Sequence, residues 1–98
     1  MLNFFVIADE DAKPTPAQLH DMPHVGEIDD KTFFHLMQLG IIDSRFNYYS
    51  DFRWSTDTIA QVFRKISGAD NDDPCVEKLL TILIEAKSAK KGLIAVGD

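Results

Sequence analysis

Three side chains at alternate positions, Tyr49, Asp51 and Arg53, put a phenol, a carboxylate and a guanidinium into one short stretch, NYYSDFRWSTD. In an extended chain alternate residues face the same way, so the three would share an edge able to recognise a ligand through a guanidinium fork and a paired acid. A surface ion pair between Asp51 and Arg53 accounts for the same residues and would contribute only about 0–1 kcal/mol. The other parity of this region holds Phe46, Tyr48, Phe52 and Trp54, four aromatics with Ser50 among them. Each aromatic side chain buries about 150–250 Å². That set therefore reads as the seam of a core, and the polar trio as its rim.

Metal and nucleophile chemistry is less well provided for. His20 and His24 stand four residues apart with Glu27 beyond, a spacing that would ligate zinc from a helix, but Pro23 between them breaks that helix. His35 falls within a helical pattern, on its wet side. Cys75 occupies the second position of a helix, where exposed N–H groups lower a thiol pKa, while Asp72, Asp73 and Glu77 oppose the thiolate. No adjacent histidine motif supplies a base, so Cys75 reads as a structural, partly buried residue. The run DNDD, residues 70–73, lacks the alternating ligands, central glycine and distal glutamate of a calcium loop. The glycines are scattered singly, with no phosphate-binding loop and no GxSxG elbow. No catalytic residue, cofactor or metal is expected.

The elements that must position these side chains can be read from periodicity. LNFFVIA, residues 2–8, is short, apolar and rich in β-formers, which predicts a strand buried on both faces. A proline-bearing connection follows, with a helical turn at PAQLHDM, and HVGEI at 24–28 suggests a brief second strand. Asp29 or Asp30 caps a helix over KTFFHLMQL that ends at Gly40. The aromatic stretch alternates as an extended segment with a turn at Asn47 or Ser50. Ser55 then caps a helix in which Ile59, Val62, Phe63 and Ile66 share a face, ended by Gly68. Asp73 and Pro74 start a longer helix through LLTILI to Lys90 and Lys91, stopped by Gly92. LIAV at 93–96 is another buried strand, expected to pair with the first. The predicted fold is α+β, one domain over residues 1–98, with a small sheet including both terminal strands packed against about three helices. A chain of 98 residues has enough apolar surface for one core and too little for two.

MLNFFVIADED lacks the basic leading region of a signal peptide, and no apolar run reaches the roughly 18–20 residues of a bilayer span. With a single cysteine and no internal disulfide, the chain is expected to be soluble and cytoplasmic. Its charge is unevenly placed. Residues 1–30 hold seven acids against one base, whereas residues 31–98 hold nine of each, so the formal −6 belongs to the first third. Such a segment repels phosphate and anionic lipid, which argues against nucleic acid and membrane and favours a protein partner with a basic surface. A bacterial immunity-type inhibitor that neutralises a cationic toxin is the concrete form of this expectation. Asp9, Glu10, Asp11, Asp29 and Asp30 would steer association, and Tyr49, Asp51 and Arg53 would complete the contact. Two alternatives stand beside it. One is a small-molecule-binding or enzymatic domain using Tyr49, Asp51 and Arg53 with His24 or Glu27; the other is a homo-oligomer, so the state is monomer or homodimer.

Overall fold

The computed structural model describes residues 1–68 and 73–97. LNFFVI forms β1 (Leu2–Ile7), and its alternation decides which side of the sheet is dry. Leu2, Phe4 and Val6 join the main core, while Asn3, Phe5 and Ile7 point the other way. Among the described residues four helices follow, interleaved with three further strands: α1 (Pro16–Leu19), β2 (His24–Ile28), α2 (Asp30–Gln38), β3 (Phe52–Trp54), α3 (Thr56–Ser67), α4 (Pro74–Ala89) and β4 (Gly92–Gly97). The strands make one antiparallel sheet in the order β2-β1-β4-β3. The two terminal strands lie side by side at its centre, Leu2 opposite Gly97 and Ile7 opposite Gly92. The fold is α+β, as its periodicity predicts. No helix among the described residues is long and apolar enough to cross a membrane.

The helices start where short polar side chains precede them. Asp29 accepts from the Thr32 N–H, Ser55 from Thr58 and Asp73 from Cys75, which satisfies backbone donors that a helix start leaves free. Thr15 and Gln18 cap the single turn of α1 reciprocally. After α2, Gly40 takes φ +78°, the left-handed conformation expected of a stop. α4 ends differently from expectation. Lys90, not Gly92, adopts the left-handed conformation, with φ 57° and ψ 41°. Gly92 instead opens β4, where a Cβ would fall 2.5 Å from the Trp54 carbonyl oxygen and 2.8 Å from Asp9 Oδ1. Its smallness serves close passage of the chain, not helix termination.

The helical layer covers one face of the sheet. Phe33 and Leu36 from α2, Ile59, Val62 and Ile66 from α3, and Val76, Leu79, Ile82, Leu83 and Ala86 from α4 meet Leu2, Phe4, Val6, Leu93 and Ala95. α4 presses so closely on β2 that a Cβ at Gly26 would lie 2.6 Å from the Ile82 side chain. The aromatic seam closes the β3 side. Trp54, 1% exposed, packs with Phe4, Phe46 and Phe52 at centroid distances of 5.7, 5.9 and 5.7 Å. Only residues 52–54 of the expected extended segment are strand; residues 44–46 and 48–50 turn, which lets Phe46 and Tyr48 reach the core from a loop.

The opposite face of the sheet is crossed by a strap, the connection that begins at Ala8. Arg53 points to that face and donates to the carbonyl oxygens of Asp11 at 2.6 Å and Ala8 at 3.0 Å. Beneath the strap Ile7 and Ile94 are only 4% and 2% exposed. β1 is thus alternating, with its second face sealed at one end only: Phe5 and Asn3 remain half-buried.

Candidate functional site

The acids read as an interface are divided between places and tasks. Asp9 lies beyond the Ile7 end of β1 and Asp29 beyond the Ile28 end of its neighbour β2, which pairs with Leu2. Five residues of strand separate those ends, about 17 Å. Asp9 accepts from the Thr56 N–H at 3.1 Å and from the Thr56 hydroxyl at 2.7 Å, so its carboxylate secures the start of α3. Asp29 caps α2, and the Thr32 hydrogen bonds hold its carboxyl below the usual carboxylate range. Asp30 accepts from the Lys31 N–H at 2.8 Å. Glu10 and Asp11 are exposed on the strap, and their carboxylates have no hydrogen-bond or ion-pair partner among the described residues.

Tyr49, Asp51 and Arg53 do not assemble into a common edge. Arg53 is spent on the strap carbonyls, and Asp51 accepts from the Gly97 N–H at 3.1 Å and pairs with Lys13 at 3.6 Å. The surface pair between Asp51 and Arg53 is replaced by these two longer-range ties. Tyr49 projects into solvent at 71% exposure. His20 ends α1 whereas His24 belongs to β2, so the two share no helix. His24 bonds the Asn3 side chain at 3.1 Å and packs edge-on against Phe5. A cavity of about 440 Å³ does open between the strap and α1, but Asp11, Gln18, Asp21, Met22 and Lys91 line it, not the polar trio.

A second concavity lies on the helical side. α3 and the end of α4 flank a groove of about 710 Å³ whose floor is Ile59, Ala60 and Phe63 and whose rim is Arg64, Lys87, Lys90 and Lys91. The α3 residues involved recur at three- and four-residue intervals from Thr56 to Ser67, the stripe next to the buried face of Ile59, Val62 and Ile66. Eleven residues of helix make the groove about 16 Å long. Lys87 Nζ sits 4.8 Å from the centroid of the Phe63 ring, a cation–π contact that holds one charge over the apolar floor. No acid lines the groove, and none of its four cations has a carboxylate partner among the described residues. Both helices end near these bases, and lysines there complement the helix dipoles. That accounts for the charges; between them Ala60 is exposed, and Phe63, packed on the core by one side, is half-buried. The sequence signal was present as four of the chain's ten bases, but it is divided between two helices and visible as a cluster only once they pack.

A third grouping was also hidden by distance along the chain. His35 Nε2 lies 2.6 Å from Asp73 Oδ2, and Cys75 joins them so that ligand atoms of all three are within 4.8 Å of one another. The imidazole hydrogen bond holds the Asp73 carboxyl below its ordinary value. The remainder of the DNDD run, residues 70–72, lies outside the described residues. No known family, curated protein or solved structure matches the chain.

Proposed function

We propose that this chain is a protein-binding module that docks an acidic segment of its partner, folded as an amphipathic helix, in the groove between α3 and α4. The observation that supports this is the pairing of an apolar floor, Ile59, Ala60 and Phe63, with four cations that have no carboxylate partner among the described residues. A single-headed anionic ligand would use one or two of those charges. A helix with acids along both flanks of an apolar stripe would meet Arg64 on one side and the lysines at the end of α4 on the other while its stripe lies along about 16 Å of α3, and helix-in-groove recognition anchors such stripes at three- and four-residue intervals. The formal charge of −6 disfavours nucleic acid, which is anionic throughout.

The test uses a fluorescent 16-residue peptide with leucines on one helical stripe and glutamates beside it, against a scrambled peptide of equal composition. Anisotropy should give at least about tenfold tighter binding to the amphipathic peptide, weakened about tenfold or more by Lys87→Glu and by high salt. Equal binding of both peptides, or indifference to Lys87→Glu, would overturn the reading.

A second reading keeps the acidic surface as the contact, in the manner of an immunity-type inhibitor of a basic toxin. It is favoured by Glu10 and Asp11 standing exposed on the strap without partners among the described residues, and by the exposed Tyr49. Here Glu10→Lys with Asp11→Lys should slow association with a cationic protein at low salt, while Lys87→Glu should leave it unchanged. The opposite pattern would discard it.

A further inference from the structure

We infer that His35, Asp73 and Cys75 form a binding site for a divalent transition-metal ion of zinc's ligand preference. The three donors come from two elements: His35 from α2, Asp73 and Cys75 from the start of α4. An imidazole, a carboxylate and a thiol are the donor types that zinc takes, and their ligand atoms already lie within 4.8 Å of one another. With Cys75 ionised, the carboxylate and thiolate neutralise a dication, and His35 adds a neutral donor. Binding releases the thiol proton to solvent, so affinity rises with pH.

The geometry needs the histidine–aspartate pair to open and the thiol to close in, from separations of up to 4.8 Å to about 3.6 Å. Two ligands about 2.0–2.2 Å from one tetrahedral ion are separated by roughly 3.3 Å, whereas His35 Nε2 and Asp73 Oδ2 are now 2.6 Å apart. Asp73 can make that adjustment without uncapping α4, because its other oxygen, Oδ1, is the one that accepts from the Cys75 N–H at 2.9 Å. Thr32, a buried residue one turn before His35, sets its hydroxyl 3.9 Å from Cys75 Sγ and would support the thiolate from outside the ligand set. Three protein ligands and a half-exposed histidine leave the fourth position open to water. The ion would tie α2 to α4. This site lies at the opposite end of the sixteen-residue α4 from the Lys87–Lys91 groove, about 20 Å away, and does not depend on the docking proposal.

Titration of the full-length, reduced protein with cobalt(II) reads the site directly. The expected result is a near-ultraviolet sulfur-to-cobalt charge-transfer band with intense visible bands of four-coordinate cobalt, both removed by added zinc. Cys75→Ser should abolish the charge-transfer band, and His35→Gln should weaken binding at least about tenfold, while His20→Gln changes nothing. Zinc should also slow alkylation of Cys75 in the unmutated protein, a measurement that needs no variant to fold. Absence of the sulfur band, unchanged affinity in His35→Gln, or alkylation indifferent to zinc would overturn the assignment.

Discussion

The strap side of the molecule and the helical groove both carry charge, yet they use it differently. On the strap side charged groups are absorbed by the framework: Asp9 secures α3, Asp51 holds Gly97 and Lys13, and Arg53 clasps two carbonyl oxygens. Around the groove Arg64, Lys87, Lys90 and Lys91 have no carboxylate partner among the described residues. Formal charge is thus a poor guide to available charge. The acidic third contributes the whole net −6 but gives up Asp9 and Asp29 to helix starts, whereas a segment of zero net charge contains the free cations.

The comparison can be broken at the seam both regions lean on. Trp54→Ala should cost about 3–5 kcal/mol, read as a fall in the denaturant midpoint, because it empties the contact between Phe4, Phe46 and Phe52. Trp54→Phe should cost much less, since the indole N–H has no acceptor among the described residues and its removal relieves a buried, unpaired donor. Next in size is Arg53→Ala, expected to lose about 1–3 kcal/mol and to raise hydrogen exchange in the strap. Lysine at this position should fail to restore protection, because it lacks the fork that reaches both Asp11 and Ala8. Asp9→Ala should cost about 1 kcal/mol through the Thr56 contacts. Charge reversal at Asp9 would therefore confound any test of steering that Glu10 and Asp11 leave clean.

Asp29 sharpens the contrast through pH. Its folded pKa lies below the ordinary 3.8, so the carboxylate's contribution is fully present above that value and is lost as pH falls through the folded pKa. Asp29→Asn keeps a cap acceptor without the titration. The thermal advantage of the native protein over this variant should hold near neutrality and disappear in acid below pH 3.8. An advantage independent of pH would remove the carboxylate from the argument. The smallest effect belongs to the groove: Arg64→Gln and Lys87→Gln should each cost less than about 1 kcal/mol, the scale of a helix-end charge or an exposed cation–π contact. A larger loss would place those bases in the framework too.

What could be read from sequence follows the distance over which each interaction acts. The caps at Asp29, Ser55 and Asp73 are written within three residues of the donors they satisfy, and the helices begin there. The inward set Phe46, Tyr48, Phe52 and Trp54 was visible from alternation, although turns rather than a continuous strand deliver half of it. The pairing of the terminal strands followed from two apolar runs needing cover. The strap clasp was not legible, because Arg53 and its acceptors Asp11 and Ala8 are 42 and 45 residues apart. Asp9 and Thr56 are 47 apart, His35 and Asp73 38 apart, and no local pattern selects one such pairing over another. The groove escaped for the same reason, its charges being split between α3 and α4.

The central position of β4 also governs when this protein can fold. Before residues 92–97 pair, β1 has only β2 beside it, and Phe4 lacks both Ala95 and the seam that β3 builds on β4. Closing a loop of some 90 residues costs about 4 kcal/mol of chain entropy before any contact of that strand returns it. Until residues 92–97 pair, the β1–β2 hairpin keeps its apolar edge uncovered, and the arrival of that strand completes the middle of the sheet.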